Sequence, residues 1–305
     1  MSGGNAWTLL RRTFSDWSED KAPQLGASLA FYTALSIAPL LVILLGVAAY
    51  FLGDDAASGQ VVGELRSLVG DEGGKAIESM IANANKPTTG AVATALSVVT
   101  LMFGASGVFG QLQSALNTIW DVKPKPGRGI WGFIRDRFLS LTMVLGIAFL
   151  LLVSLVFTAA IATATNYFGG EKESLAWVVQ AVNFVASFAL LTMLFALMFK
   201  ILPDVKMSWS DVWMGAAVTA GLFVVGKFAI GLYLGQSSMA SSYGVAGSFV
   251  VLLVWVYYSA QILFFGAELT QVYANTYGSR IMPGEHAEPL TDKARAEQGR
   301  PRKRQ

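Results

Sequence analysis

The stretch ASLAFYTALSIAPLLVILLGVAAYFL, residues 27–52, contains no charged side chain and decides the fold class. About 20 helical residues cross a hydrocarbon core of about 30 Å, and this segment exceeds that length. Because lipid offers no partner for backbone N–H and C=O groups, such a segment spans the membrane as an α-helix. We therefore interpret residues 27–52 as the first transmembrane helix.

Five further segments have the length and apolar composition of membrane spans. The second of the six becomes amphipathic in its latter half, and the others are almost free of charge. The sequence therefore predicts an all-α protein, a polytopic six-helix transmembrane bundle. The predicted spans are 27–52, 90–119, 138–165, 175–199, 212–234 and 244–273. Tryptophans near their ends are interpreted as interfacial anchors: Trp7, Trp120, Trp131, Trp177 and Trp209.

The hydrophobic and charged fractions of the chain are those of a protein embedded in lipid. Hydrophobic residues make up 54% of the chain and charged residues 14%, whereas soluble proteins are about 25% charged. Cysteine is absent and the only histidine is His286, so the chain lacks the side chains for a disulfide framework or a His/Cys metal site. We expect no cofactor, no metal, no catalytic residue, no enzymatic activity and no nucleic-acid partner.

The distribution of basic residues predicts the topology. The N-terminal segment, the 119–137 and 200–211 links and the C-terminal tail hold 17 of the 22 Lys and Arg residues (three, five, two and seven). Basic residues favour the cytoplasmic side, so both termini are predicted to be cytoplasmic.

The chain divides by composition into three parts. They are a cytoplasmic segment 1–24, a membrane domain 25–280, and a basic tail 281–305 that lacks apolar periodicity and is predicted to be disordered. The external loop 53–89 has apolar residues at helical spacing, which predicts short amphipathic helices on the outer surface. A lid that stabilises the bundle and a substrate gate remain alternative interpretations of that loop.

Two charged side chains, Lys227 and Glu268, lie inside the predicted spans. The rise per residue of a helix separates them by roughly 25 Å in depth, so they are not expected to form a salt bridge. Lys227 either reaches the outer interface or faces a cavity as a cation. Glu268 either forms a structural ion pair or contacts a proton or a substrate headgroup. Its predicted basic partners are Lys200, Lys206, Arg135 and Arg137.

Amides and one proline complete the candidate site. Gln113 and Asn117 are four residues apart and share a helix face, and Asn183 on the fourth span is the candidate to complete a polar wall with them. Close helix packing is the alternative interpretation of these residues. Pro39 interrupts the first span and predicts a kink there; a discontinuous binding helix is the alternative interpretation.

Several stretches together resemble the YihY/BrkB family, formerly called ribonuclease BN-like, over roughly residues 5–280. They are GASLAFYTALSIAPLL (26–41), LQSALNTIWDV (112–122), LPDVKMSWSDVWMGAAVTAGLF (202–223) and SSYGVAGSFVVLLVWVYYSAQILFFGAELTQVY (241–273). The resemblance implies a six-helix protein of the bacterial inner membrane with a poorly defined activity, for which movement of envelope lipid or other solutes has been proposed. The candidate functional positions that the resemblance implies are Pro39, Asn117, Tyr243, Gly244, Gly266 and Glu268.

The predicted function is transporter-like movement of a lipid or another amphiphilic or anionic solute, with membrane lipids as partners and the oligomeric state left open. The candidate cavity residues are Pro39, Gln113, Asn117, Asn183, Lys227, Tyr243, Gly244, Gly266 and Glu268. The alternative is a membrane scaffold or envelope assembly factor that neither transports nor catalyses. Ribonuclease activity is rejected, because metal-dependent RNA cleavage needs clustered His and Asp ligands.

Overall fold

A computed structural model describes residues 3–53, 59, 62–63, 66, 74–75, 77–81, 107–126, 142, 146, 173–236 and 247–301. Its helices are α1 (Gly3–Glu19), α2 (Ala22–Leu52), α3 (described over 107–119), α4 (Glu173–Ile201), α5 (Trp209–Gln236), α6 (Gly247–Thr276) and α7 (Asp292–Glu297). Its strands are β1 (Val122–Pro124), β2 (Val205–Lys206), β3 (Met282–Pro283) and β4 (Ala287–Pro289).

The membrane-spanning helices agree with the predicted spans wherever the structure describes them. Three segments are long and apolar enough to cross a bilayer: Gln180–Ile201, Trp209–Tyr233 and Phe249–Thr276. Helix α2 is a fourth if its two limbs count as one span. The predicted span 138–165 and most of 90–119 lie outside the described residues, so the total of six remains a prediction. The same holds for the external helices, of which residues 77–81 are described as helical.

Helix α2 bends sharply where the sequence places a proline. Its limbs Ala22–Ile37 and Leu40–Gly46 meet at 55°. Pro39 lies in the break between them; a proline inside a helix removes one backbone hydrogen bond and clashes with the preceding turn. The predicted kink is confirmed.

Helices α5 and α6 are antiparallel and pack closely through two matched glycine–threonine pairs. A Cβ atom added at Gly215 would lie 2.7 Å from Cβ of Thr270, and one added at Gly266 would lie 2.8 Å from Cβ of Thr219. Each threonine hydroxyl donates to the carbonyl of the glycine four residues earlier on its own helix, at 2.7 Å. Small residues of this kind let two membrane helices approach closely. By contrast, a Cβ atom added at Gly231 would meet no atom within 4 Å.

The hydrophobic core is formed by buried side chains of α2, α3, α4, α5 and α6. Leu116, Ile119, Phe199 and Phe264 are completely buried in it. Trp120 is 3% exposed and its ring stands edge-on to that of Phe199 at 5.9 Å. The interpretation of Trp120 as an interfacial anchor is therefore wrong, because its ring fills the core.

The C-terminal tail is ordered as far as residue 301, so the expectation of a disordered tail is wrong for that part. Strand β4 pairs antiparallel with β1, and β3 pairs antiparallel with β2. Disorder was predicted because residues 281–305 lack apolar periodicity. These backbone pairings and the buried arginines described below do not depend on such periodicity. The pairings bring the tail to the links that contain β1 and β2, at one end of the bundle, which we call the polar end.

Candidate functional site

Four charged residues from distant parts of the sequence form a buried cluster at the polar end, which we call the terminal ion network. Asp20 begins the α1–α2 turn, Asp121 precedes β1, and Arg295 and Arg300 lie in and after α7. The side chains of Asp20, Arg295 and Arg300 are 2–5% exposed, and that of Asp121 is 13% exposed. Two positive and two negative charges make the network neutral.

Arg295 uses its guanidinium to join three segments. Its Nη2 donates to Oδ1 of Asp20 at 3.2 Å, its Nη1 donates to Oδ1 of Asp121, and its Nε donates to the carbonyl of Pro301 at 3.0 Å. Burial lowers the pKa of Arg295, and the positive charge of Arg300 lowers it further, while the carboxylate of Asp20 raises it. An arginine remains charged at neutral pH in spite of such a shift.

Arg300 makes a second bridge across the same carboxylates. Its Nε donates to Oδ1 of Asp20 at 3.1 Å, and its Nη2 donates to Oδ1 of Asp121 at 3.2 Å and to the carbonyl of Thr118 at 3.0 Å. The network therefore fastens the C-terminal tail to the N-terminal segment and to the end of α3. Removing one partner from a buried pair is strongly destabilising, because the other charge stays buried without compensation.

The two predicted amides form a second cluster with an acid that the sequence analysis did not select. Nδ2 of Asn117 donates to Oδ2 of Asp204 at 3.1 Å, and the backbone N–H of Asp204 donates to Oδ1 of Asn117 at 2.8 Å. Gln113 Nε2 approaches the same carboxylate at 3.4 Å. The prediction that Gln113 and Asn117 share a face is confirmed, and that face binds the turn between α4 and β2.

Two further contacts tie α6 to the polar end. Nε2 of Gln271 donates to the carbonyl of Ile119 at 2.7 Å. At the start of α5, Asp211 accepts from the backbone N–H of Ser279 at 3.0 Å and from its hydroxyl at 2.8 Å. The end of α6 is thus held by hydrogen bonds to α3 and to α5.

A cavity of about 340 Å³ lies beside the terminal ion network. Side chains of α1, Asp20, Asp121, Gln271 and Arg295 line it. Its basic lining residues are Arg11, Arg12 and Arg295, and its acidic ones are Asp16, Glu19, Asp20 and Asp121. A cavity that presents both signs of charge is suited to a polar group that carries both signs.

Glu268 lies in the spanning helix α6. Its side chain is completely buried. Gln271, which lines the cavity, is three residues further along α6 and therefore shares a helix face with Glu268. A buried carboxylate in a spanning helix is thus one turn away from the polar end.

The predicted basic partners of Glu268 have other contacts where they are described. Lys200 donates to the carbonyl of Met207 and lies 5.6 Å from the ring centroid of Trp209. Lys206 pairs with Glu285 at 3.3 Å. The remaining two predicted partners, Arg135 and Arg137, lie outside the described residues. The ion-pair interpretation of Glu268 therefore remains a prediction.

Lys227 is half-buried in α5 and distant from Glu268. The glycine–threonine pairs set the register of α5 and α6, and this register places Glu268 level with residue 217. Lys227 is ten residues further along α5, which corresponds to about 15 Å along the axis, less than the predicted separation of about 25 Å. That distance is still beyond the reach of a salt bridge.

Asn183 does not join the other two amides. It is half-buried in α4, 18 residues before Ile201, which separates it from the α4–β2 turn by about 27 Å of helix. The predicted wall of Gln113, Asn117 and Asn183 is wrong, because the two α3 amides bind Asp204 at the far end of α4.

The remaining predicted positions have separate outcomes. Gly266 packs against Thr219, which gives it a structural contact. Tyr243 and Gly244 lie outside the described residues, and of Pro39 only the backbone is described. Their proposed roles at a cavity remain predictions.

Sequence reasoning missed the acids and arginines that organise the polar end. Asp121 and Asp204 stand in the stretches NTIWDV and LPDV, which carried the family resemblance, but they fall just outside the predicted spans. Because only polar groups inside the spans were selected, these residues were passed over. Arg295 and Arg300 carried no signal, since a basic tail without periodicity is typical of disorder.

The spanning helices and the polar end define a multi-pass membrane protein. The sequence model of the family described as Virulence factor BrkB matches residues 13–291, and the chain belongs to that family. The resemblance to the YihY/BrkB family is thereby confirmed.

Curated relatives cover most of the chain at low identity. A ribonuclease-like protein of Bacillus subtilis strain 168, YfkH, is 23% identical over 86% of this chain and 94% of its own length. A UPF0761 membrane protein of Cronobacter sakazakii is 27% identical over 89% of this chain and 90% of its own length. Another from Rhodospirillum centenum is 28% identical over 81% of this chain, and this chain spans about half of that protein (53%). No solved structure matches.

Proposed function

We propose that the chain is a transporter-like protein of a bacterial inner membrane that moves a lipid or another amphiphilic solute. The observation that carries the proposal is Glu268, a completely buried carboxylate in the spanning helix α6. Ionisable side chains in membrane spans are costly, and they mark substrate or proton pathways. Gln271, three residues further along the same face of α6, lines the cavity at the polar end, which supports a solute route along this face.

The chemistry of the cavity narrows the solute class. The lining contributed by α1 carries Arg11 and Arg12 together with Asp16 and Glu19, and Arg12 pairs with Asp16 at 3.9 Å. A solute with a headgroup that carries both a phosphate and an amine is more compatible with this lining than a purely anionic one. The bent helix α2, which packs on α6, is a second supporting feature, because broken helices border binding sites in secondary transporters.

A lipid-movement assay in vesicles tests the proposal. The purified chain is reconstituted with a trace of phosphatidylethanolamine or phosphatidylglycerol bearing a nitrobenzoxadiazole fluorophore on one acyl chain, so that each headgroup stays intact, and dithionite then bleaches the outer leaflet. We expect bleaching beyond the outer-leaflet share, faster for phosphatidylethanolamine, and loss of this excess in Glu268→Gln. Glu285→Gln, which changes an exposed acid of the tail, is the matched control and should bleach as the wild type does. Bleaching equal to that of protein-free vesicles with both probes would refute lipid transport.

We propose the topology from the charge pattern, with both termini cytoplasmic. The four basic segments include every strand of the polar end, and their charge favours the cytoplasmic side. Since the native chain has no cysteine, single cysteines at Gly59 and Glu285 are unambiguous reporters for an impermeant maleimide on intact spheroplasts. We expect labelling at 59 before permeabilisation and at 285 only after it; the reverse pattern would overturn the orientation.

A scaffold or assembly factor is the second candidate function. The terminal ion network favours it, because it fastens both ends of the chain into one rigid surface. Under this hypothesis Glu268→Gln leaves the cellular role unchanged, while loss of the network abolishes it. Enzymatic activity is not part of either proposal, and the ribonuclease-like name belongs to the Bacillus subtilis relative alone.

A further inference from the structure

Helix α1 has an apolar face that the fold leaves uncovered. Trp7 is 71% exposed, Leu10 44% and Phe14 61%. At 3.6 residues per turn these three positions fall within an arc of about 60° on one side of the helix. We call them the apolar face of α1. Three large exposed side chains in one arc form a continuous patch, unlike scattered surface residues, which need no explanation.

The other two sides of α1 are accounted for. Thr13 is completely buried and Trp17 packs on the core, so this side fastens α1 to the bundle, where it contacts α2 and α6. Thr8, Arg12 and Ser15 fall in a second narrow arc and line the cavity. Helix α1 therefore has a buried side, a polar side and an exposed apolar side.

We infer that α1 lies in the interfacial layer of the bilayer, with Trp7, Leu10 and Phe14 inserted among lipid acyl chains. The occupant of the face is the lipid of the membrane that α2 enters, because α2 begins at Ala22, three residues after α1 ends. An amphipathic helix with Trp, Phe and Leu on one face and charged groups on the other is the kind that lies in this layer.

The charge of Arg11 and the level of two exposed tryptophans support the placement of α1 in the interfacial layer. Arg11, exposed, stands between the apolar and polar arcs of α1, where a long cationic side chain can reach a lipid phosphate while its stem stays in the apolar layer. At the same end of the bundle, Trp209 and Trp213 begin α5 and are 47% and 44% exposed. Exposed tryptophans at the end of a span mark the level of the headgroups. The apolar face of α1 and these tryptophans thus belong to one interfacial belt.

Spin labels on single cysteines test the inference. Trp7→Cys, Leu10→Cys and Phe14→Cys report on the apolar face, and Thr8→Cys, Arg12→Cys and Ser15→Cys are matched controls on the polar face of the same helix. Each labelled chain is reconstituted in phosphatidylethanolamine–phosphatidylglycerol vesicles. Collision with oxygen, which concentrates in lipid, is compared with collision with a water-soluble nickel complex. We expect oxygen to dominate at 7, 10 and 14 and nickel to dominate at 8, 12 and 15.

Three outcomes would overturn the inference. Dominant nickel collision at 7, 10 and 14 would place the face in water. Exclusion of both reagents, with dipolar broadening that disappears on dilution with unlabelled chain, would show that a second copy covers the face. Exclusion without broadening would show that the chain covers the face itself. Unchanged gel-filtration profiles of the labelled variants establish that each result comes from folded protein.

Discussion

Replacing Asp20 with asparagine is the sharpest test of the terminal ion network. Oδ1 of Asp20 accepts from Arg295 at 3.2 Å and from Arg300 at 3.1 Å. In Asp20→Asn, Asp121 is the one carboxylate of the terminal ion network left for both guanidiniums, so one buried positive charge loses its partner in the network. Loss of one partner from a buried pair costs about 3–5 kcal/mol. At about 2 °C per kcal/mol for a chain of this size, the unfolding midpoint should fall by roughly 6–10 °C.

The measurement is thermal unfolding of the purified chain in detergent, followed by tryptophan fluorescence. Glu288→Gln is the matched control, since it breaks the Lys123–Glu288 pair in the β1–β4 sheet, whose partners are 42% and 38% exposed. An exposed pair contributes about 0–1 kcal/mol, so this midpoint should move by no more than about 2 °C.

A double variant separates charge balance from general damage. Asp20→Asn combined with Arg300→Met leaves one arginine and one carboxylate, so the buried site is neutral again. We expect its midpoint to lie above that of Asp20→Asn alone, because residues in one network are not additive. A shift in Asp20→Asn no larger than that of Glu288→Gln, or simple addition in the double variant, would show that the terminal ion network does not stabilise the fold.

The remaining predictions concern packing, amides and the tail. Gly215→Ala forces a Cβ atom against Thr270 and should lower the free energy of unfolding by about 1–3 kcal/mol. Gly231→Ala on the same helix has open space around it and should raise the free energy of unfolding by about 0.5–1 kcal/mol in the same thermal unfolding assay. Asn117→Ala removes both hydrogen bonds to Asp204 in the α4–β2 turn and should lower the free energy of unfolding by about 1–3 kcal/mol. Gln113→Ala should cost less, because the contact of Gln113 with Asp204 is longer; equal losses would contradict this. Removal of residues 291–305 leaves two buried carboxylates without their arginines, so it should lower the midpoint at least as far as Asp20→Asn, whereas a disordered tail would leave the midpoint unchanged.

Local features of the fold were predictable because they depend on short segments. The first, fourth, fifth and sixth predicted spans coincide with helices of sufficient length, since 20 apolar residues in lipid have few alternatives to a helix. The bend at Pro39 followed from the chemistry of one residue. The shared face of Gln113 and Asn117 followed from the period of the helix.

The candidate site was less predictable, because its residues are far apart in the sequence. The contacts of Asp20 with Arg295 and Arg300 join residues 275 and 280 positions apart. The partner of Asn117 is Asp204, which a search restricted to the spans could not select. Asn183 resembled Asn117 in residue type, but its distance along α4 keeps it away from that cluster.

The membrane class of the chain and the positions of four of its helices were readable from the amino-acid sequence, because the transfer of apolar side chains into lipid is a local property of each segment. The helical period also gave the shared face of Gln113 and Asn117. Which charges meet depends on the fold, because a buried ion pair needs two side chains within about 4 Å and the folded chain sets that distance. The ordered tail, the terminal ion network and the uncovered face of α1 are therefore properties of the folded chain.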